Sequence, residues 1–538
     1  MAFVNGRPLW IDIASTSDVY RKSHSRSIAR AEKPVLRQTQ RTVRSGYAVI
    51  NVYQCREKEW TRIMIGTNQQ AISGTASPPS TKRQRPVRII GIILVSLVFI
   101  LAIVVIGAYT YSAAILNPVT STPITASPNR FDGRYLLTVS DADMVGTAYA
   151  NDILMQIPGE RDTLSIFPLP LDVNDPQINE VFASNSVTSW PQVLIPSPDG
   201  ERAYIVETAG EIADDVEVYP NVQASPPLGR TLTVVELATG TTTVYDVVDY
   251  PLHVAVHPEE QYVAIGTKEA NRQLVILPVE TLDDAGTYQF FPIENSDGEP
   301  AEEVTSVSWH PNGNYLAVGI DRSELAFYEV IPQADGTLNL QQYGERLMLG
   351  NTITYGQFTN DGRHYLTAEI NWAALPGQLG YVFNPRGEMI AVQFDLMEGN
   401  HGVVSRVEVG QSPEGFAISP DESLIVTIDM RRTYLPDNLS FIPGSDLNSL
   451  SLLTFDNSTG ELVLIDQYGF EGVLPEHAVF DADGDALGVV IYNERENPMN
   501  PGYIELWNVV QDGDTPRLER TGARISVVRG PHTMALVP

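Results

Sequence analysis

Val307 to Val330, VSWHPNGNYLAVGIDRSELAFYEV, alternates apolar and polar positions, turns at Pro311-Asn312-Gly313, and alternates again. Period two is the pattern of a β-strand, and Asn-Gly between two such runs is a hairpin signal. The same grammar recurs in NRFDGRYLLTV at Asp132, IPSPDGERAYIV at Asp199, VHPEEQYVAIG at Glu259, FTNDGRHYLTA at Asp361, ISPDESLIVTI at Asp421 and FDADGDALGVV at Asp483. With the Asn312 copy these make seven, spaced 67, 60, 53, 49, 60 and 62 residues apart. A third strand follows in several copies, as in QLVILPVET, ELAFYEV, LSLLTFD and YIELWNV. Two or three strands cannot bury their apolar face alone, but four-stranded units arranged radially can. The pattern therefore predicts an all-β, seven-bladed β-propeller over residues 129–538.

The first copy lacks the strand that precedes the turn elsewhere, as in HVAVHP or GFAIS. The missing strand stands at the other end of the chain, where GPHTMALVP resembles the inner strands and then stops. It is expected to complete blade 1 and close the ring, leaving no open edge. With its recurrent SPDG turn and inner strands that open on Pro, as in PLHVAV and PEGFAI, the region resembles the YVTN/WD40-like seven-bladed propellers, lactonase-like and surface-layer members included. That resemblance implies a fold that serves mostly as a binding scaffold and less often as an enzyme. The Gly-His and Trp-Asp signatures of true WD40 blades are absent, so that family's His/Asp network is not carried over.

One stretch breaks the period. Ile89 to Tyr111 is 23 residues without a charge, long enough to cross a bilayer as a helix. Lys82, Arg83, Arg85 and Arg88 precede it, and no Lys or Arg follows until Arg130, which sets the N-terminus in the cytoplasm and the propeller outside, in the periplasm or on the cell surface. A transmembrane helix is expected at 89–112; a cleaved signal is the rival. Asn117 to Pro128 is rich in Pro, Thr and Ser and reads, with 113–116, as a stalk. Residues 1–88 read as a basic, mostly disordered cytoplasmic segment, with Met64 as an alternative start.

Charge supports this division. Of the net −31, residues 1–88 carry 16 Lys+Arg against 5 Asp+Glu, leaving 19 against 61 for the rest, so a +11 head precedes a −42 body. A body of that charge repels phosphate backbones and argues against nucleic acid as a partner. The single Cys55 excludes an intrachain disulfide.

In a propeller the loops joining second and third strands lie on the top face and are free to carry function. They are long in blades 2, 5, 6 and 7 and short in blades 3 and 4, which predicts a raised rim with a notch over 3 and 4. Aligned by their turns, His253 and His477 share one position, and His532 is placed at the matching point of the closing strand. All three are expected at the top mouth of the channel, where they either form a metal or anionic-ligand site or bond a neighbouring blade's backbone. Arg431 and Arg432, a rare basic pair, either meet a carboxylate or phosphate ligand or pair with Asp429 or Asp437. The acids Glu207, Glu211, Asp214, Asp215 and Glu217 offer Ca²⁺ or a solvated loop. Asp481 to Asp485 is not an EF-hand, because Tyr492 stands at the twelfth position and Gly484 at the fourth.

No G-x-S-x-G, H-E-x-x-H, Walker A or CxxC motif occurs, and no cofactor is indicated. The sequence thus leads to a membrane-anchored binding or scaffold module for a protein, an envelope polymer or a small ligand on the top face. The alternative is a lactonase-like hydrolase using the channel-mouth residues.

Overall fold

The computed structural model describes residues 85–538 apart from 223–224, 373–378 and 512–514, together with four short strands earlier in the chain. Those strands pair as two hairpins, Ala2–Val4 with Arg7–Leu9 and Arg41–Ser45 with Ala48–Val52. Cys55 and the Met64 start lie outside the described residues, as does the rest of the expected cytoplasmic segment up to residue 84.

Seven antiparallel sheets of at least four strands make the propeller. Blades 2 to 7 begin with the inner strands Leu194–Pro196, Pro251–Val256, Val304–Trp309, Ile353–Phe358, Pro413–Ile418 and Ala478–Phe480, and each runs outward in chain order. Blade 1 draws its inner strand from the end of the chain. Pro531–Val537 pairs with Tyr135–Ser140 in a register running from Pro531 opposite Ser140 to Val537 opposite Tyr135. Thr163–Pro168 and Asn179–Phe182 complete that sheet.

Apolar residues of neighbouring sheets merge into shared cores between blades, as where Leu137 and Ala535 of blade 1 join Ile205 of blade 2 and Val254 of blade 3. The alternation of the sequence has a different meaning from a half-solvated sheet. Every residue of Val304–Trp309 is buried, Thr305, Ser306 and Ser308 included, because an inner strand has blades on both faces. Solvent reaches one edge only, as in Thr241–Asp246, the outer strand of blade 2.

At the bottom, tight turns join inner to second strands. Gly200, Gly313, Gly362 and Gly484 take positive φ there; blades 3 and 6 place Glu260 (φ 55) and Glu422 (φ 59) at the same point. Each Glu offsets that strain with a bond to the preceding blade. Glu260 accepts from Tyr204 Oη at 2.7 Å and pairs with Arg202 at 2.9 Å, while Glu422 accepts from Asn360 N at 2.5 Å. His257 and His310, before the turn prolines, bond the carbonyls of Gly313 and Gly362 in the next blade, both at 3.1 Å.

The helix α1 spans Arg85–Ala114, longer at both ends than the expected 89–112, and its part Ser96–Ala114 is apolar and long enough to cross a bilayer. The helix stops before Pro118, which cannot continue it. The segment read as a stalk is extended, as its composition demands, and it lies bonded along blades 6 and 7. Thr122 N donates to Gly469 O at 2.8 Å, Thr125 N to Arg520 O at 3.2 Å, and Asn117 is fully buried against Ser449 and Gln467.

Candidate ligand site at the mouth of the channel

The inner strands of blades 1, 3, 4 and 6 reach the top face through a β-bulge. The register skips one residue between Pro251 and His253, Val304 and Ser306, Pro413 and Gly415, and Pro531 and Thr533. The skipped residues are Leu252, Thr305, Glu414 and His532. The bulge corrects the sequence alignment: His532 corresponds to Leu252 and Glu414, and Thr533 holds the position of His253.

The histidines tie blades together. His253 Nδ1 accepts from Val307 N of blade 4 at 3.2 Å, and His477 Nδ1 accepts from Met534 N of blade 1 at 3.1 Å. Tyr355 performs the same task between blades 5 and 6, its hydroxyl donating to Phe416 O at 2.8 Å and accepting from Phe416 N at 3.1 Å. It also joins two of the histidines, with His477 Nε2 at 2.9 Å and the His253 ring centroid at 6.2 Å. His532 Nε2 meets Asn185 Oδ1 of blade 2 at 2.7 Å. Burial pushes the three rings down to about 3, 4 and 3, so all are neutral, and with Nδ1 accepting a backbone N–H the proton of His253 and His477 sits on Nε2.

Arg431 and Arg432 lie apart from them and are buried. Arg432 donates to Ser112 O at 3.2 Å and to Pro443 O; Arg431 donates to Asn117 O at 3.3 Å and Leu447 O at 3.2 Å. Arg386 adds Leu116 O at 3.4 Å. Arg432 thus caps the carbonyl end of α1, where orphan C=O groups and the helix dipole favour cations, while Arg431 and Arg386 hold the carbonyls of Asn117 and Leu116 just beyond it. The acids expected as their partners are engaged elsewhere: Asp429 accepts from Ser449, Ser451 and Thr427, and Asp437 pairs with Arg495.

The recess itself lies at the notch over blades 3 and 4, a small cavity of about 30 Å³. Its rim charges come from the two short loops, Lys268 and Arg322. Both pair with Glu303, which precedes the inner strand of blade 4, Lys268 at 3.3 Å and Arg322 more closely. Trp190 and Trp372 form walls with ring centroids 6.4 Å apart, and the Arg322 guanidinium lies 5.4 Å from the Trp190 ring. Glu414 closes the channel side. It is buried, its Oε2 has no hydrogen-bond partner, and burial pushes its carboxyl up to about 8. Neighbouring Glu476 is buried with both oxygens unpartnered and is held well above the carboxylate range by burial and by Glu414. Its 3.9 Å approach to His532 is a contact of two neutral groups.

A second acidic group was not foreseen. The loop after the second strand of blade 1, residues 141–162, continues the rim, and Asp141, Asp143 and Asp162 converge there within 4.8 Å of one another. These carboxylates accept main-chain N–H groups, Asp162 from Ala142 and Asn185, Asp141 from Val187 and Asp143, and Asp143 from Ile212. The blade 2 loop acids turn to the same loop: Glu211 pairs with Arg161 at 2.7 Å and Asp214 accepts from Gly159 N. Asp481 to Asp485 is a turn, its Asp481 carboxylate accepting Asp132, Asp485 and Ala486 N–H groups.

Lys268 and Arg322 follow directly on second strands, as Arg431 does, so the same reasoning applied to the short loops would have found them. Trp190 and Trp372 carry no such signal, because the fold alone brings them together.

No protein-family model matches the chain, and no curated protein matches it. Solved structures do resemble it. A Bacteroides fragilis protein named as a candidate 6-phosphogluconolactonase is 15% identical, covers 77% of this chain and 100% of its own, and superposes with a TM-score of 0.49. The Pseudomonas aeruginosa periplasmic gluconolactonase is 15% identical over 75% of this chain and 99% of its own, with a TM-score of 0.47. The fold here rests on the seven sheets themselves.

Proposed function

We propose that the chain is a membrane-anchored extracytoplasmic propeller whose mouth recess binds a small molecule carrying an anionic group and a flat, weakly polar face. One observation carries this reading: the recess holds a surplus of positive charge inside a body that is strongly negative. Lys268 and Arg322 face one ionised acid, Glu303, which they hold below the usual carboxylate range, while Glu414 keeps its proton at neutral pH. Two tryptophan faces beside the cations suit a ring or planar group. The apolar part of α1 crosses the bilayer, and the basic cluster before it keeps residues 1–88 in the cytoplasm.

A panel of small carboxylates, phosphates and sugar acids titrated against the tryptophan emission of the full chain tests the site. Arg322→Gln should weaken the best ligand about tenfold or more, the scale of a lost charge-assisted bond. Undiminished affinity in that variant would rule the recess out.

A second reading, hydrolysis of a lactone-like ester in the same recess, is favoured by the protonated Glu414, a carboxylic acid positioned to donate a proton. Turnover of lactones by the full chain, lost in Glu414→Gln while ligand binding persists, would select it over binding alone.

A further inference from the structure

The cap on α1 fixes more than a helix end. Arg432 and Arg431 reach Ser112 O and Asn117 O from the top loop of blade 6, Ser112 Oγ donates to Val382 O in the top loop of blade 5, and Leu116 packs on Gly444. The helix therefore leaves the propeller at its top face, and from Leu97 to Ile106 its large side chains are exposed. The top loops also carry exposed apolar side chains: Phe441 (68%) in blade 6, Met499 (43%) in blade 7, Met155 (41%) and Ile153 (45%) in blade 1, and Val218 (52%) in blade 2.

These residues are joined. Ile153 bridges Val218, Arg529 touches both Met155 O and Met499 Sδ, and Arg495 ties the blade 7 loop to Leu435 O in blade 6. The bottom turns, by contrast, present Asp199, Glu259, Asn312, Asp361, Asp421 and Asp483. Exposed apolar residues away from the top loops include Val244 and Val463 on outer strands, Met348, Ile124 in the segment after α1, and Leu396 and Met397 in the bottom hairpin.

We propose that the top face rests on the bilayer that α1 crosses, with the apolar rim of blades 6, 7, 1 and 2 immersed in its surface. This rests on reading α1 as a bilayer span. An apolar rim continuous with a spanning helix buries its side chains about 5–10 Å into the headgroup boundary. Asp215, Glu217 and Glu496 stand in the same loops, so insertion and not charge attraction supplies the contact, and anionic lipid is not needed. The low loops of blades 3 and 4 leave the recess open sideways, so its ligand enters along the membrane surface.

The test uses the full chain in phosphatidylcholine vesicles, in a Cys55→Ser background. Single cysteines Phe441→Cys, Met499→Cys and Val218→Cys, with Met397→Cys as the bottom reference, carry an environment-sensitive fluorophore. Lipids spin-labelled near the headgroup should remove most of the emission from the three rim labels and leave the Met397→Cys label bright. Equal quenching at all four sites overturns the proposal. So does shielding of the rim labels from aqueous iodide without quenching by lipid, which would mean that a protein covers the face. Alkaline carbonate extraction separates the two readings: a chain that leaves the vesicles defeats the anchor, whereas one that stays with bright rim labels defeats only the orientation.

Discussion

The two ends of the inner strands are built by different rules. At the bottom, one local device repeats: an acid or Asn and a residue at positive φ turn the chain, after a Pro in blades 2, 3, 4 and 6, and His257, His310, Glu260 or Glu422 links that turn to its neighbour. Every partner there is a few residues from a turn that the sequence announces. At the top the strands bulge, and residues hundreds of positions apart meet, such as His477 with Tyr355 and His532 with Asn185. The bottom is repetitive and holds the ring; the top is individual and gathers buried acids, neutral imidazoles and a charged recess. Architecture is concentrated where the sequence is redundant, and chemistry where it is not.

The strongest way to break this contrast is to open the ring. Deleting Pro531 to Pro538 removes the inner strand of blade 1 together with His532 and the Met534 N–H bonded to His477. Blade 1 is left with an unpaired edge. Thermal unfolding followed by circular dichroism should lose its cooperative transition, because closure is shared by all seven blades. A variant that melts as the full chain does would show that the ring does not depend on its clasp.

Next comes a single oxygen at the top. Tyr355→Phe leaves Phe416 N–H, Phe416 O and His477 Nε2 buried without partners. Unsatisfied buried groups cost roughly 1–3 kcal/mol each, so chemical denaturation should report a loss of about 3 kcal/mol or more. His257→Ala at the bottom removes the bonds to Gly313 O and from Glu259 N within one turn and should cost about 1–2 kcal/mol. Equal losses would erase the difference between the two faces.

The sequence makes the blades legible because a propeller repeats one local pattern, and seven turns with positive-φ residues reveal the copy number. The closing strand is legible for the same reason, as a copy with its first strand missing. His253 and His477 at the channel mouth follow from alignment, but the bulge that shifts His532 by one residue does not, since its cause is how strands enter a crowded axis. Arg431 and Arg432 stand out as charges, yet they reach carbonyls at the end of a helix and just beyond it, more than 300 residues away, which composition cannot indicate. The recess is half-legible: short loops announce the notch, whereas Trp190, Trp372 and Glu414 meet only after folding.

A different effect separates the faces by pH. Glu414 has a folded value near 8, raised above its ordinary 4.5, so the neutral form is favoured in the folded state. That contribution is fully present below pH 4.5 and is lost as pH rises through 8, at most about 1.4 kcal/mol per pH unit for one proton. The three histidines act in the opposite window, since their lowered values favour folding above pH 6.5 and withdraw support as pH falls through 4 to 3. Glu414→Gln should therefore flatten the decline between pH 5 and 8 and leave the acid limb unchanged. Ionised Glu414 also cancels the positive surplus of the recess, so the affinity of an anionic ligand should fall above pH 8 in the parent chain and stay level in Glu414→Gln. Unaltered pH profiles in the variant would remove Glu414 from both arguments.

The smallest effect lies within the bottom turns and asks whether their rule is local. Gly362 (φ 71) has His310 against it, and a Cβ there would meet Nε2 at 2.1 Å. Gly362→Ala should destabilise by about 1–2 kcal/mol from the left-handed backbone alone, and more because the imidazole must move. Glu422 occupies the same place in blade 6 and already bears that strain. Glu422→Gly relieves it but gives up the bonds from Asn360 N at 2.5 Å and Asn457 Nδ2 at 3.0 Å. Backbone relief and lost bonds are both about 1 kcal/mol, so the midpoint of denaturation should move little in either direction. A large loss in Glu422→Gly would mean that the carboxylate, and not the turn, holds blade 6 to blade 5. The bottom would then be assembled by the same long-range bonding as the top.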